Sequence, residues 1–86
     1  MDVADLLSEP TNYAVVQIPG RAFPGVVFQG DSLAILISDI ETASMESDAQ
    51  ERQASLAEVL ERLRNVQTHY ETVLRGRGIQ LPYCKA

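Results

Sequence analysis

Gly30-Asp31-Ser32-Leu33 places a serine directly after an apolar run and at the start of a helix-like pattern. A joint between strand and helix is a place where a serine hydroxyl can be presented as a nucleophile. Such a serine needs a base within hydrogen-bond reach and a third group that orients the base. His69 is the one histidine in the chain. It falls in mid-helix beside the apolar Tyr70, and no spacing places it near Ser32. The remaining chemistry-bearing groups are equally unsupported. His69 has no second His or Cys at metal-ligand spacing, and Cys84, the one cysteine, would need three further ligands to build a structural zinc site. Asp39, Glu41, Glu46 and Asp48 cluster without the Asp-x-Asp-x-Asp-Gly pattern of a calcium loop and read as a solvated face. Arg75-Gly76-Arg77-Gly78 reads as a helix cap, and there is no glycine-rich phosphate loop. The expectation is a chain with no catalytic, metal-binding or cofactor-binding residues, and no enzyme.

Gly30-Asp31-Ser32-Leu33 also resembles the nucleophile block of the GDSL lipases and esterases. That resemblance implies an α/β domain about twice this length, further blocks that supply a glycine and an asparagine for an oxyanion hole, and a late Asp-x-x-His. Here Val66, not aspartate, stands three residues before His69. A serine hydrolase using Ser32 is therefore only an alternative. The structural reading covers the same letters. Gly30 lets the chain turn, Asp31 or Ser32 caps a helix, an interaction of about 1 kcal/mol, and Leu33 begins the buried face.

The elements that must position these groups come from one small domain. The chain has 86 residues, enough for a single core and too few for a deep cleft. Seven Lys and Arg against twelve Asp and Glu leave a net charge of −5. That balance argues against a nucleic-acid interface and suits solubility or a basic protein partner. One cysteine fits a reducing, cytoplasmic setting. The opening MDVADLLSEP carries three acids and no basic region, unlike a signal peptide, and no apolar run approaches membrane-spanning length, so no membrane role is expected.

Residues 1–12 form an N-terminal segment in which Met1 to Leu7 could make one helical turn, stopped by Pro10. Residues 13–30 read as a β-hairpin. Tyr13 to Ile18 is dense in aromatic and β-branched residues, Val26 to Gln29 follows, and the two Pro-Gly pairs of PGRAFPG, residues 19–25, signal turns between them. Residues 31–45 read as a helix, with Leu33, Leu36, Ile37 and Ile40 on one face. The unbroken apolar run 33–37 equally fits a short buried strand. Residues 48–76 read as a long helix. It has no Gly or Pro from Glu46 to Arg75, capping-box pairs at Ser47/Gln50 or Asp48/Glu51, three acid-before-base pairs four residues apart, and Gly76 or Gly78 as its C-cap. Residues 79–83 alternate as a third, edge strand would, with Pro82 confining it to a sheet edge. The fold class is α+β, a β-hairpin with this third edge strand packed on two helices, in the order β-β-α-α-(β).

The long helix carries Leu56, Leu63 and Tyr70 at intervals of seven, and Val59, Val66 and Val73 likewise. Leu60 and Leu74 widen the stripe, which fits either an intramolecular core or a dimer seam. Its length favours a partner. Residues 49–75 span about 40 Å at 1.5 Å per residue, against a diameter of roughly 30 Å for a compact chain of this size. A second copy related by a two-fold axis is the simplest cover for an overhanging apolar stripe. The expected interaction residues are Leu56, Val59, Leu63, Val66, Tyr70 and Val73 of the helix, with Arg21 and Phe23 of the Pro-Gly loop. Phe23 also fits a place in the hairpin core.

Tyr13-Ala14-Val15-Val16, Pro19-Gly20-Arg21, Phe23-Pro24-Gly25-Val26-Val27 and Gln29-Gly30-Asp31-Ser32-Leu33 resemble the signature of a family of small bacterial proteins of unknown function. The resemblance implies a bacterial source and no assigned activity. The function expected is a non-enzymatic, homodimeric protein-interaction module. Two further alternatives are a small acidic inhibitor of a basic partner, of the immunity or antitoxin type, and a ligand-binding subunit with a pocket at the dimer seam.

Overall fold

The computed structural model describes residues 3–84. It has three short strands, β1 (Asp5–Leu6), β2 (Val15–Gln17) and β3 (Gly25–Val26), then two helices, α1 (Gly30–Met45) and α2 (Ala49–Gly76). The sheet is antiparallel in the order β1-β2-β3, with Leu6 opposite Val16 and Val15 opposite Val26. The fold class is α+β, but the third strand comes from the other end of the chain. Asp5–Leu6 pairs with β2 where a helical turn was expected, and residues 79–83 form no strand. Leu7 and Val15 extend the ladder with a 2.8 Å bond from the Leu7 N–H to the Val15 carbonyl. Met1 and Asp2, the start of the expected turn, lie outside the described residues.

The hairpin loop behaves differently at its two Pro-Gly pairs. Arg21 N–H donates to the Ile18 carbonyl at 3.1 Å, and Gly20 takes φ 82°. With proline at the second position and a positive φ at the third, this is a type II turn. The second pair makes no turn, because Gly25 is already in β3, paired with Val16. The loop is tied down from below. Tyr70 OH donates to the Pro24 carbonyl at 2.7 Å, across 46 residues of sequence.

The run 33–37 is helical, so the strand alternative is removed. α1 begins one residue early, and its N-cap is Gln29 with no side-chain cap, not Asp31 or Ser32. Asp31 instead sits inside the first turn. Its Oδ1 accepts from the Ser32 N–H at 2.8 Å and so satisfies one of the donors that a helix start leaves open. α2 is capped as its sequence suggests. Asp48 accepts from Glu51 N–H at 2.9 Å, while Glu46, not Glu51, takes the Asp48 N–H at 3.0 Å. At the far end Ile79 N–H reaches the Leu74 carbonyl at 2.9 Å and Gly78 N–H the Arg75 carbonyl at 3.1 Å. With Gly78 at φ 69° this is a Schellman ending.

α2 is the spine. Its N-terminal half packs on α1, where Leu36 and Ala43 are buried against the row holding Val59 and Val66. Its C-terminal half carries the sheet, and Val15, Tyr70 and Leu74 form the core there, flanked by Leu7, Val26, Val73, Ile79 and Leu81. Arg77 Nε–H donates to the Leu7 carbonyl at 2.8 Å and joins the end of α2 to the first strand. The basic Arg75–Gly78 stretch is thus a cap and a tie.

Candidate functional site

The three-residue connection Glu46-Ser47-Asp48 folds α1 and α2 into an antiparallel hairpin. Leu36 and Ala43 of α1 and Val59 and Val66 of α2 are the buried residues of this half, and Arg62 pairs with Asp39 across it, which sets Leu36, Asp39 and Ala43 against Val59, Arg62 and Val66 as contact positions. One residue beyond each contact position lies about 100° further round the helix. On α1 that step gives Ile37 and Ile40, and Leu33 lies one turn before Ile37 on the same row. On α2 it gives Leu60 and Leu63, and Leu56 lies one turn before Leu60 on the same row. Both helices are right-handed and they run in opposite directions, so the step turns both rows toward the same broad side of the hairpin. All six side chains are between 36% and 49% exposed. They form one apolar side.

The residues expected to interact therefore separate. Val59, Val66 and Tyr70 are buried within the chain and Val73 is half-buried against its core. These four are intramolecular packing. Leu56 and Leu63 reach the surface. Leu33, Ile37 and Ile40, expected in the buried face of α1, are exposed with them, and only Leu36 of that set turns inward. Leu60, which looked like a mere widening of the stripe, sits in the middle of the exposed row. The signal was present as two interleaved stripes one residue apart, Val59/Val66 and Leu60 with Leu56 and Leu63. No rule of spacing says which of two adjacent stripes meets the neighbouring helix.

Arg21 is exposed in the hairpin loop, where its carbonyl accepts from Gln17 Nε2 at 2.9 Å. Phe23 is 46% exposed and does not enter the core. Neither joins the apolar side of the hairpin. A cavity of about 300 Å³ continues from that side toward the sheet, between Leu63, Val66 and Tyr70 of α2 and Pro24, Val26 and Phe28. Tyr83 closes its far wall, and its OH donates to the buried Glu71 Oε2 at 2.9 Å. Burial, then the charge of neighbouring Tyr83, pushes the Tyr70 phenol above its usual range. Burial and the bond to Glu71 push Tyr83 the same way.

Ser32 and His69 share no hydrogen bond, since His69 Nε2 is buried without any partner among the described residues. The described residues contain no group of three or more His, Cys, Asp or Glu side chains placed to hold a metal ion. Cys84 is exposed. Among them there is also no helix long and apolar enough to cross a membrane.

No curated protein and no solved structure matches this chain. A family model does, over residues 1–83, the hairpin sheet and both helices included, and on that match the chain belongs to DUF6959, a family of unknown function.

Proposed function

We propose that this chain is a homodimeric protein-interaction module, working by binding and not by catalysis, whose two copies pair through the Leu33–Ile37–Ile40 and Leu56–Leu60–Leu63 rows. The observation that carries the reading is that one flat side of the hairpin displays six branched aliphatic side chains. The size of the surface supports it. The chain exposes 6456 Å², against roughly 5,050 Å² for a compact monomer of 9.5 kDa. The surplus of about 1,400 Å² compares with the roughly 800 Å² that each partner buries in a standard interface. The shape agrees. The radius of gyration is 15.6 Å, where a compact chain of this length has about 12 Å, and the molecule is a slab of 47 × 33 × 21 Å. Face-to-face pairing of two slabs gives a four-helix layer with a closed core.

The net charge of −5 favours a basic protein as any second partner, bound outside the apolar side. The lone exposed cysteine supports a reducing, cytoplasmic setting. Sedimentation equilibrium tests the dimer: the expected mass is about 19 kDa, twice the chain mass of 9.5 kDa. A single species at the chain mass at tens of micromolar would overturn the reading.

A further inference from the structure

The opposite side of the hairpin is mostly polar, Ile35 being the exposed apolar residue of α1 there, and holds a cavity that the dimer does not use. Arg62, Asn65 and His69 stand there at i, i+3 and i+7 of α2, along one wall. The turn carrying Thr11, Asn12 and Tyr13 forms the other wall, and the space between is about 360 Å³. That turn is held in an uncommon shape. Tyr13 takes φ 62°, a left-handed conformation disfavoured for an aromatic residue. Its ring sits edge-on to Phe28 at 5.1 Å, and Val15 N–H donates to Ser8 Oγ at 2.8 Å on the far side of the turn.

Two side chains of the α2 wall each leave a nitrogen unsatisfied. Arg62 Nε and His69 Nε2 are buried and have no hydrogen-bond partner among the described residues. Native proteins leave few such groups, because each forfeits its bonds to water without replacement. A guanidinium can only donate, so the missing partner at that end is an acceptor. Asp39 takes only Arg62 Nη2, which leaves the fork with donors to spare. His69 Nε2 can donate as well. The Arg62 side chain is 39% exposed and His69 half-buried, and both line the cavity. The two residues are seven apart, about 10 Å along the helix, too far for one small ion to serve both.

We propose that this cavity binds a short dicarboxylate, one carboxylate on the Arg62 guanidinium and the other toward His69, with the amide of Asn65 between them. The net charge of −5 opposes an anion, so weak binding is expected.

Titrating the ¹⁵N-labelled full chain with sodium succinate and glutarate, against sodium chloride at equal ionic strength, tests this. Saturable shifts are expected at Thr11, Asn12, Tyr13, Asn65 and His69, with acetate at least tenfold weaker. Arg62→Gln is expected to weaken succinate at least tenfold, and Asn65→Leu, which leaves the Arg62–Asp39 pair intact, about threefold or more. Equal shifts with chloride, shifts centred elsewhere, acetate as tight as succinate, or undiminished binding in both folded variants would each overturn the proposal.

Discussion

The two broad sides of the helical hairpin are built from neighbouring residues of the same helices and end up with opposite characters. On one side Leu33, Ile37 and Ile40 meet Leu56, Leu60 and Leu63. On the other, Asp39, Thr42, Ser55, Glu58 and Arg62 line a polar groove that continues to Asn65 and His69. A rotation of either helix by one residue, about 100°, would turn its apolar row into the seam. What holds the rotation is the buried seam between them, Leu36 and Ala43 against Val59 and Val66. The difference teaches that a thin seam is enough to orient two large surfaces, provided the spine helix is anchored elsewhere. Here the anchor is the sheet, clamped to the last turns of α2 by Val15, Tyr70 and Leu74.

The largest effect is expected at that anchor. Leu74 is fully buried, and Leu74→Ala should cost about 2–5 kcal/mol, read as a lower urea midpoint at constant slope. A small loss would mean that the seam alone holds the two sides apart. Next comes the apolar side. Leu60→Asp should raise the dimer dissociation constant about 100-fold, or about 2.7 kcal/mol, by sedimentation, while Thr42→Asp in the polar groove leaves it unchanged. Equal effects on both sides would erase the contrast.

Tyr70 gives a smaller, pH-dependent effect. Its folded-state phenol titrates above the usual value near 10. The group therefore contributes stability that is fully present below about pH 10 and is lost as pH rises through the raised value. Urea midpoints should fall above pH 10. Tyr70→Phe should flatten that fall while costing about 1 kcal/mol at neutral pH through the lost bond to the Pro24 carbonyl. Smaller again is the Arg62–Asp39 pair. Both side chains are about two-fifths exposed, so Arg62→Gln should cost under about 1 kcal/mol. A larger loss would make the polar side part of the scaffold. Ser32→Ala should change stability by less than about 0.5 kcal/mol, because the helix start uses the Asp31 carboxylate and not the Ser32 hydroxyl.

Much of the secondary structure was legible. The helix Ala49–Gly76 could be read at both ends, because a side-chain acceptor three residues before a donor, Asp48, and a glycine in a left-handed position, Gly78, are local requirements. The Ile18–Arg21 turn was legible for the same reason. Gly25 was not, since a Pro-Gly pair turns only if its glycine takes a positive φ, and pairing with Val16 holds Gly25 extended. Asp5–Leu6 was missed because two residues carry no periodicity, and only the free edge of β2 makes them a strand. Asp31 and Ser32 were expected as caps, yet the helix starts at Gly30 with Gln29 as its N-cap, beyond what composition can locate.

What the sequence determined by itself is therefore the set of local decisions: the long helix with both its caps, one tight turn, and an acidic chain with one cysteine and one histidine. The tertiary structure alone decided which stripe of each helix is core and which is surface. Leu56, Val59, Leu60 and Leu63 are equally apolar, and each satisfies helical spacing. Burial is a property of what stands opposite. Only the docking of α1, pinned by the short 46–48 connection, puts Val59 inside and leaves Leu56, Leu60 and Leu63 exposed.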